Sequence, residues 1–195
     1  MKTLFYLTIL MVFSFLMPVY ADQASDVALQ AKIDQLFIVG FRGTSLDTAP
    51  EIQKMLAETN IGGVILFDYD TPSKSYNRNI KTKSQTKKLI SDLQSQAKTP
   101  LFISIDEEGG KVSRLKNIPG FLVTPSAQKL ALKSDVQVQG IAKGLGKVLS
   151  GYGFNMDLAP VLDVNVNKKS PAIGAVGRSF SSLPSVVSRK AMAFS

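Results

Sequence analysis

The chain has 195 residues with 23 basic and 15 acidic side chains, a formal net charge of +8, and neither histidine nor cysteine. The two absences remove the usual zinc, copper and haem ligands, exclude disulfides, and rule out a Ser-His-Asp triad or a Cys-His dyad. The lysines are scattered, in short pairs such as Lys87-Lys88 and Lys168-Lys169, and no aromatic residues interleave a basic stripe. Such a charge pattern aids solubility and draws anionic polymers weakly, but is not a nucleic-acid footprint.

In chain order, Lys2 followed by the apolar stretch Leu4 to Met17 and by Val19-Tyr20-Ala21 has the form of a secretory signal peptide cleaved after Ala21. The stretch is short, and the residues after it are too polar for a membrane span. Residues 22–195 are therefore expected to be the exported domain, secreted or periplasmic and free of the membrane after cleavage.

Residues 22–35 have helical spacing. Leu36 to Phe41 is a continuous apolar run, expected as the first strand; Ala49 to Glu58 carries Ile52, Met55 and Leu56 on one helical face. Gly63 to Phe67 is expected as strand two, and residues 68–80 as a polar loop. Ser84 to Ala97 is an amphipathic surface helix with Leu89, Ile90 and Leu93 on its apolar face. Leu101 to Ile105 is strand three, followed by an irregular stretch through Pro119, Gly120 and Pro125. Val136 to Leu149 is a helix, Asn155 to Ala159 with Val161-Leu162 is strand four, Asp163 to Phe180 is a long loop, and another helix starts near Ser185.

Apolar strands alternating with helices predict a parallel sheet covered by helices, an α/β fold. Four βα units fit, and a complete (β/α)₈ barrel takes ~250 residues. The pattern thus fits an incomplete TIM-type barrel; an open doubly wound sheet shares the same rhythm. A half barrel leaves a sheet edge and an apolar face uncovered. The glycines of residues 140–148 lack the spacing and the Ser or Thr of a phosphate loop, so they are expected in a helix whose small residues pack close to the sheet.

The densest chemistry is Ile105-Asp106-Glu107-Glu108-Gly109-Gly110-Lys111-Val112-Ser113-Arg114-Leu115, placed at the C-terminal end of strand three, the edge where α/β folds bind ligands. On an extended chain Asp106 and Glu108 share one side and Glu107 takes the other. Glycosidases use two carboxylates, about 5 Å apart in retaining enzymes. Here the Gly109-Gly110 turn makes Glu108 a brace for the loop rather than an acid/base partner, while Asp106 is the last residue the strand positions firmly. Asp163 is expected at the end of strand four, on the same rim. Arg178 in Gly177-Arg178-Ser179-Phe180 offers oriented donors for hydroxyls or a carboxylate.

Four ordered stretches carry a resemblance: Ile61 to Phe67, Ile105 to Leu115, Leu158 to Val164, and Gly177 to Phe180. Together they resemble the N-terminal domain of glycoside hydrolase family 3, most closely its bacterial β-N-acetylhexosaminidase branch. The resemblance implies a (β/α)₈-type barrel that removes terminal β-linked N-acetylhexosamine from cell-wall or chitin fragments with retention and without a cofactor or metal. It implies that Asp106, Arg114 and Arg178 line the sugar site and that none of these is the nucleophile; Asp163, by its position on the same rim, is a further candidate ligand or a brace for the loop backbone. Its acid/base is a histidine in a K-H-F-P-G-H-G-like loop after strand five, and its nucleophile is an aspartate after a later strand. Neither segment is in this sequence, so the chain reads as a truncated member carrying the sugar-binding half of a site. A β-glucosidase of the same family, or an inactive carbohydrate-binding or structural fragment, are the alternatives.

Overall fold

A computed structural model describes residues 25–195. The expected signal peptide lies outside the described residues, and no described helix is long and apolar enough to cross a membrane.

Residues 25–34 form a leading helix, α1. It is followed by β1 (Ile38–Gly40), α2 (Pro50–Glu58), β2 (Gly63–Ile65), the hairpin β3 (Tyr69–Asp70) and β4 (Ser75–Tyr76), and α3 (Lys83–Gln96). Next come β5 (Phe102–Ile105), the hairpin β6 (Glu107–Gly109) and β7 (Val112–Ser113), α4 (Ala127–Leu130), α5 (Asp135–Tyr152), β8 (Met156–Asp157) and α6 (Pro184–Phe194). The helices begin where side chains can cap them: Thr82 with Gln85 and Ser134 with Gln137 form capping boxes, and Pro50 and Pro184 sit in the first turns of α2 and α6.

The main sheet runs β1-β2-β5-β8, all parallel. Strand order follows chain order, so each right-handed crossover places its helix on the same face. A doubly wound sheet would reverse its order and put helices on both faces. The arrangement is therefore four consecutive strands of a (β/α)₈ barrel, the first of the two architectures that the pattern allowed.

Register identifies the two faces. Val64 pairs with Ile103, and both are fully buried with Leu66 and Ile105 against Ile52 and Leu56 of α2, Leu89 and Leu93 of α3, and Leu149 of α5. The alternate row, Ile38, Gly63 and Phe102, faces what would be the barrel interior. There Ile38 stays 40% and Phe102 52% exposed. The same open character marks the far edge, where Leu162, Val164, Val187 and Met192 line an apolar groove beside α6.

Several local expectations change. The loop 68–80 contains a hairpin closed by edge-to-face packing of Tyr69 on Tyr76, 5.1 Å between ring centres. The stretch after β5 is also a hairpin, turning through Gly109 (φ +86°) and Gly110 (φ +60°). A Cβ on Gly109 would lie 2.5 Å from Thr124 Oγ1, so that turn needs glycine for both conformation and space. Gly140, Gly144, Gly146 and Gly151 are helical, but a Cβ added at any of them would meet nothing within 4 Å, so they do not pack closely on the sheet. Strand four is shorter than expected. The Asn155 amide takes the place of ladder groups, accepting from Ile103 N–H (2.7 Å) and donating to Leu101 C=O (2.9 Å). Beyond Asp157 only Leu158 N–H still reaches Ile105 C=O, and Pro160 has no N–H with which to continue.

The face assignment is directly testable by chemical denaturation. Ile103→Ala should cost about 2–5 kcal/mol, because it opens a cavity among helix-packed residues. Phe102→Ala should cost less than about 1.5 kcal/mol, since half of that ring is already in solvent, and should reduce binding of an apolar dye.

Candidate functional site

The C-terminal ends of β2, β5 and β8 gather an acidic and guanidinium cluster. Asp106 directly follows β5. Its Oδ2 accepts from Arg114 Nη2 at 2.7 Å, and its Oδ1 takes no hydrogen bond from the described residues. Arg114 arrives from the end of the β6–β7 hairpin. Its other terminal nitrogen lies 3.7 Å from Asp68 Oδ1, and its guanidinium stands 5.4 Å above the Phe67 ring.

Glu107 holds this pair in place from behind. The side chain is fully buried, and Oε2 accepts from the backbone N–H of Arg114 (2.9 Å) and of Leu115 (3.1 Å). The Glu107 N–H in turn donates to Asp157 Oδ1 at 2.9 Å. Alternation along the strand thus puts Asp106 at the rim and Glu107 in the interior. Burial pushes the Glu107 carboxyl up to about 7, against the pull of the Ser113 hydroxyl and the two backbone donors and with the help of the Asp157 charge. Its Oε1 is buried without a hydrogen-bond partner, which penalises the charged form further. Burial likewise raises Asp157 to about 6, countered by the Glu107 N–H and reinforced by the charges of Asp106 and Glu108.

Glu108 returns to the rim and grips Arg178 in a two-pronged pair, Nε to Oε2 at 2.7 Å and Nη2 to Oε1 at 2.6 Å. Arg178 Nη1 also donates to Ala172 C=O at 3.0 Å. This ties the long 163–180 loop to the β6–β7 hairpin across 70 residues of sequence, and the Glu108 carboxylate raises the Arg178 guanidinium above its ordinary value. Every guanidinium nitrogen of Arg178 is therefore already engaged within the protein, which makes it more a loop tether than a free reader of ligands.

Asp163 does not end strand four. That strand stops at Asp157, and Asp163 is an exposed loop residue whose carbonyl accepts from Ser179 Oγ at 2.6 Å. It remains near enough to Arg178 for its charge to act there. So Asp106 and Arg114 touch, Arg178 joins them through the Glu108 hairpin, and Asp163 stands on the outer flank. The group at the strand-four terminus is Asp157.

Asp68 and Phe67 join the site without belonging to any polar motif of the sequence. Continuing the β2–β5 register past Ile65 and Ser104 sets Phe67 level with Asp106. Asp68 is 3% exposed, and neither carboxylate oxygen has a hydrogen-bond partner. The usable signal is position: Asp68 ends the apolar run of strand two as Asp106 ends that of strand three. Among the described residues, no group of three or more carboxylates is placed to hold a metal ion.

The buried acids make stability depend on pH. Glu107 and Asp157 bind protons more tightly folded than unfolded, so their contribution is complete below about pH 4 and is lost as pH rises through about 6 to 7. The thermal midpoint should fall over that window, and Glu107→Gln, which keeps the carbonyl acceptor, should flatten the decline. Separately, Glu108→Gln and Arg178→Met should each destabilise by about 2–3 kcal/mol, with a coupling of at least about 1 kcal/mol in a double-mutant cycle. Additive losses would mean that the pair does not hold the loop.

The sequence profile of the glycosyl hydrolase family 3 N terminal domain matches residues 28–195. A β-hexosaminidase A of Pseudoalteromonas piscicida is 34% identical over 152 residues, covering 74% of this chain and 24% of that protein. Among solved structures, a glycoside hydrolase family 3 β-N-acetylglucosaminidase from Paenibacillus sp. str. FPU-7 superposes with a TM-score of 0.73 at 33% identity, over 85% of this chain and 30% of that one. NagZ from Neisseria gonorrhoeae, solved in complex with N-trifluoroacetyl-D-glucosamine, superposes with a TM-score of 0.67 at 27% identity, over 80% of this chain and 44% of that one. The chain thus spans less than half the length of each of these relatives. Since the family profile covers all but the first residues and the parallel half barrel has the same fold, the chain belongs to the glycosyl hydrolase family 3 N-terminal domain family.

Proposed function

We propose that this chain supplies the sugar-binding half of a retaining, exo-acting β-N-acetylhexosaminidase that removes terminal β-linked N-acetylhexosamine from cell-wall or chitin fragments. The observation that carries the reading is the Asp106–Arg114 pair at the end of β5, which leaves Asp106 Oδ1 free of donors from the described residues. A carboxylate oxygen with an open acceptor position, held by a neighbouring guanidinium, suits the capture of a sugar hydroxyl in a fixed orientation. The similarity to a β-hexosaminidase and a β-N-acetylglucosaminidase, and the N-trifluoroacetyl-D-glucosamine bound by NagZ, support an amino sugar as the ligand. Asp163 and Arg178 extend the rim around that position.

The 195 residues contain no histidine. The acid/base that the family resemblance implies is therefore not among them, and we assign hydrolysis to the barrel completed by further strands and sugar binding to this part. Glu107 has no catalytic share in this reading: it is buried and spends its carboxylate on the backbone that aims Arg114. We also propose export of the protein, on the strength of Lys2, the apolar stretch after it and Val19-Tyr20-Ala21. A mature N-terminus at Asp22 in peptide mass mapping is the expected result.

Titration of the chain with N-acetylglucosamine and with glucose, followed by NMR, tests the assignment. The amino sugar should bind in preference to glucose, and Asp106→Asn should weaken it about tenfold, the loss of one hydrogen bond to a charged group. The melting temperature should hardly change, because the Asp106–Arg114 pair is partly solvated. A chromogenic N-acetylglucosaminide should not be turned over by this chain alone. Robust turnover, or a preference for glucose, would overturn the reading.

A further inference from the structure

The helices that coat the sheet are charged unevenly. α1 and α2 carry acids in excess, Asp26, Asp34, Glu51 and Glu58 against Lys32 and Lys54. From α3 to α6 the helical acids are Asp92 and Asp135 alone, and both are already paired: Asp92 with Lys88 at 2.8 Å, Asp135 with Lys190 at 2.7 Å. The remaining lysines of these helices have no such partner, and they are not scattered in space.

α5 packs between α3 and α6. Lys190 of α6 ties to its first residue, and Lys83 of α3 stands 5.6 Å from the centre of the Tyr152 ring at its last turn. The apolar rows of α3 and α5, Leu89 and Leu93 in one and Leu145 and Leu149 in the other, are buried against the sheet. Each helix then shows solvent two lysines one turn apart: Lys83 with Lys87, and Lys143 with Lys147. None of the four has a carboxylate within ion-pair distance among the described residues. Gly140 and Gly144, on the same outer side of α5, add no side chain to screen them.

An ordinary solvated helix face alternates its charges, because opposite signs one turn apart stabilise it and like signs do the reverse. Here both adjoining helices use the unfavourable spacing. Lys83 is moreover the first residue of α3, whose first turn holds no acid, although the helix dipole favours an anion there. Local preference is thus set aside three times on one stretch of surface, and in each case the missing component is negative charge. The composition of the face selects what supplies it. Lysine is a point charge that meets phosphate without fixed geometry, so a lysine face reads charge density rather than shape. No aromatic side chain is exposed on α3 to α6 to stack a base, and α3 exposes no large apolar side chain to enter a bilayer.

We infer that the outer face of α3 and α5 docks the domain on a flexible phosphodiester polymer. The contact lies on the helical coat, not at the strand ends, and does not rest on the sugar reading. It holds the domain on an anionic matrix and so raises the local concentration of whatever the rim binds there.

Poly(glycerol phosphate), a phosphodiester chain without bases, is the probe, titrated at several salt concentrations beside monomeric glycerol phosphate and phosphatidylglycerol vesicles. The polymer should bind well ahead of the monomer and the vesicles. Its affinity should fall with salt at a logarithmic slope of about −3, as expected for four contacts to a single-stranded polyanion. Replacing both Lys143→Gln and Lys147→Gln should weaken the polymer about tenfold at low salt and flatten the slope by about 1.5. The pair Lys83→Gln and Lys87→Gln should act alike. The pair Lys32→Gln and Lys54→Gln removes the same charge from α1 and α2 and should leave the affinity unchanged, with circular dichroism confirming the fold of all three variants. Equal losses in the three variants would mean that net charge alone is read, and would overturn the inference. Absence of polymer binding, a monomer that binds as tightly as the polymer, or a preference for the vesicles would each overturn it as well.

Discussion

Parallel pairing in chain order is the constraint from which the rest of this structure descends. Because β1, β2, β5 and β8 neighbour one another in the order in which they are made, every strand ends on the same edge and every crossover helix lies on the same face. The edge collects Phe67, Asp68, Asp106 and Asp157, residues spread over 90 positions of sequence, into one rim. The face buries Val64, Leu66, Ile103 and Ile105 against three helices. The opposite face, with Ile38 and Phe102 half in solvent, is apolar surface that a complete barrel would enclose.

The rim carries its charges in a graded way. A buried acid, Glu107, spends its carboxylate on two backbone N–H groups and thereby orients the hairpin that delivers Arg114. The residues on either side of it point outward: Asp106 to Arg114, and Glu108 to Arg178. One strand extension therefore provides a rim acid paired with Arg114, an internal clamp and a loop tether at consecutive positions, a direct consequence of the two-residue period. The cost is a pair of buried carboxyls, Glu107 and Asp157, that hold their protons unusually far up the pH scale.

Four of the five arginines, Arg42, Arg78, Arg114 and Arg178, stand on this rim or beside it, whereas the more numerous lysines are spread over the chain. The distinction has a chemical basis. Planar forks make several directed hydrogen bonds and stack on a ring such as Phe67, which a flexible ammonium does not do as well. Net charge thus says less about the ligands of this rim than the placement of its guanidinium groups.

Much of this is legible in the linear chain. Apolar runs punctuated by glycine and proline announce the strands, helical spacing announces α2, α3 and α5, and the motif from Asp106 to Arg114 announces the rim. These features are local, governed by periodicity and by capping, and so survive without knowledge of the fold. Strand four is shorter than its apolar run suggests, because nothing in Asn155 to Leu162 reveals that the Asn155 amide replaces ladder groups or that the pairing stops at Asp157. Asp68 and Arg78 look like polar loop residues in the sequence, because their burial and stacking depend on partners 46 and 11 positions away, Arg114 and Phe67. The Glu108–Arg178 tether spans 70 residues; the sequence marks Glu108 as a brace and Arg178 as a donor for a carboxylate, but nothing in it pairs the two. Sequence by itself determined the main strands and helices and which residue types would stand near the strand ends; only the tertiary structure decided the two hairpins, where strand four stops and which of those charges meet, because contact between distant segments is set by sheet register and loop packing rather than by any local preference.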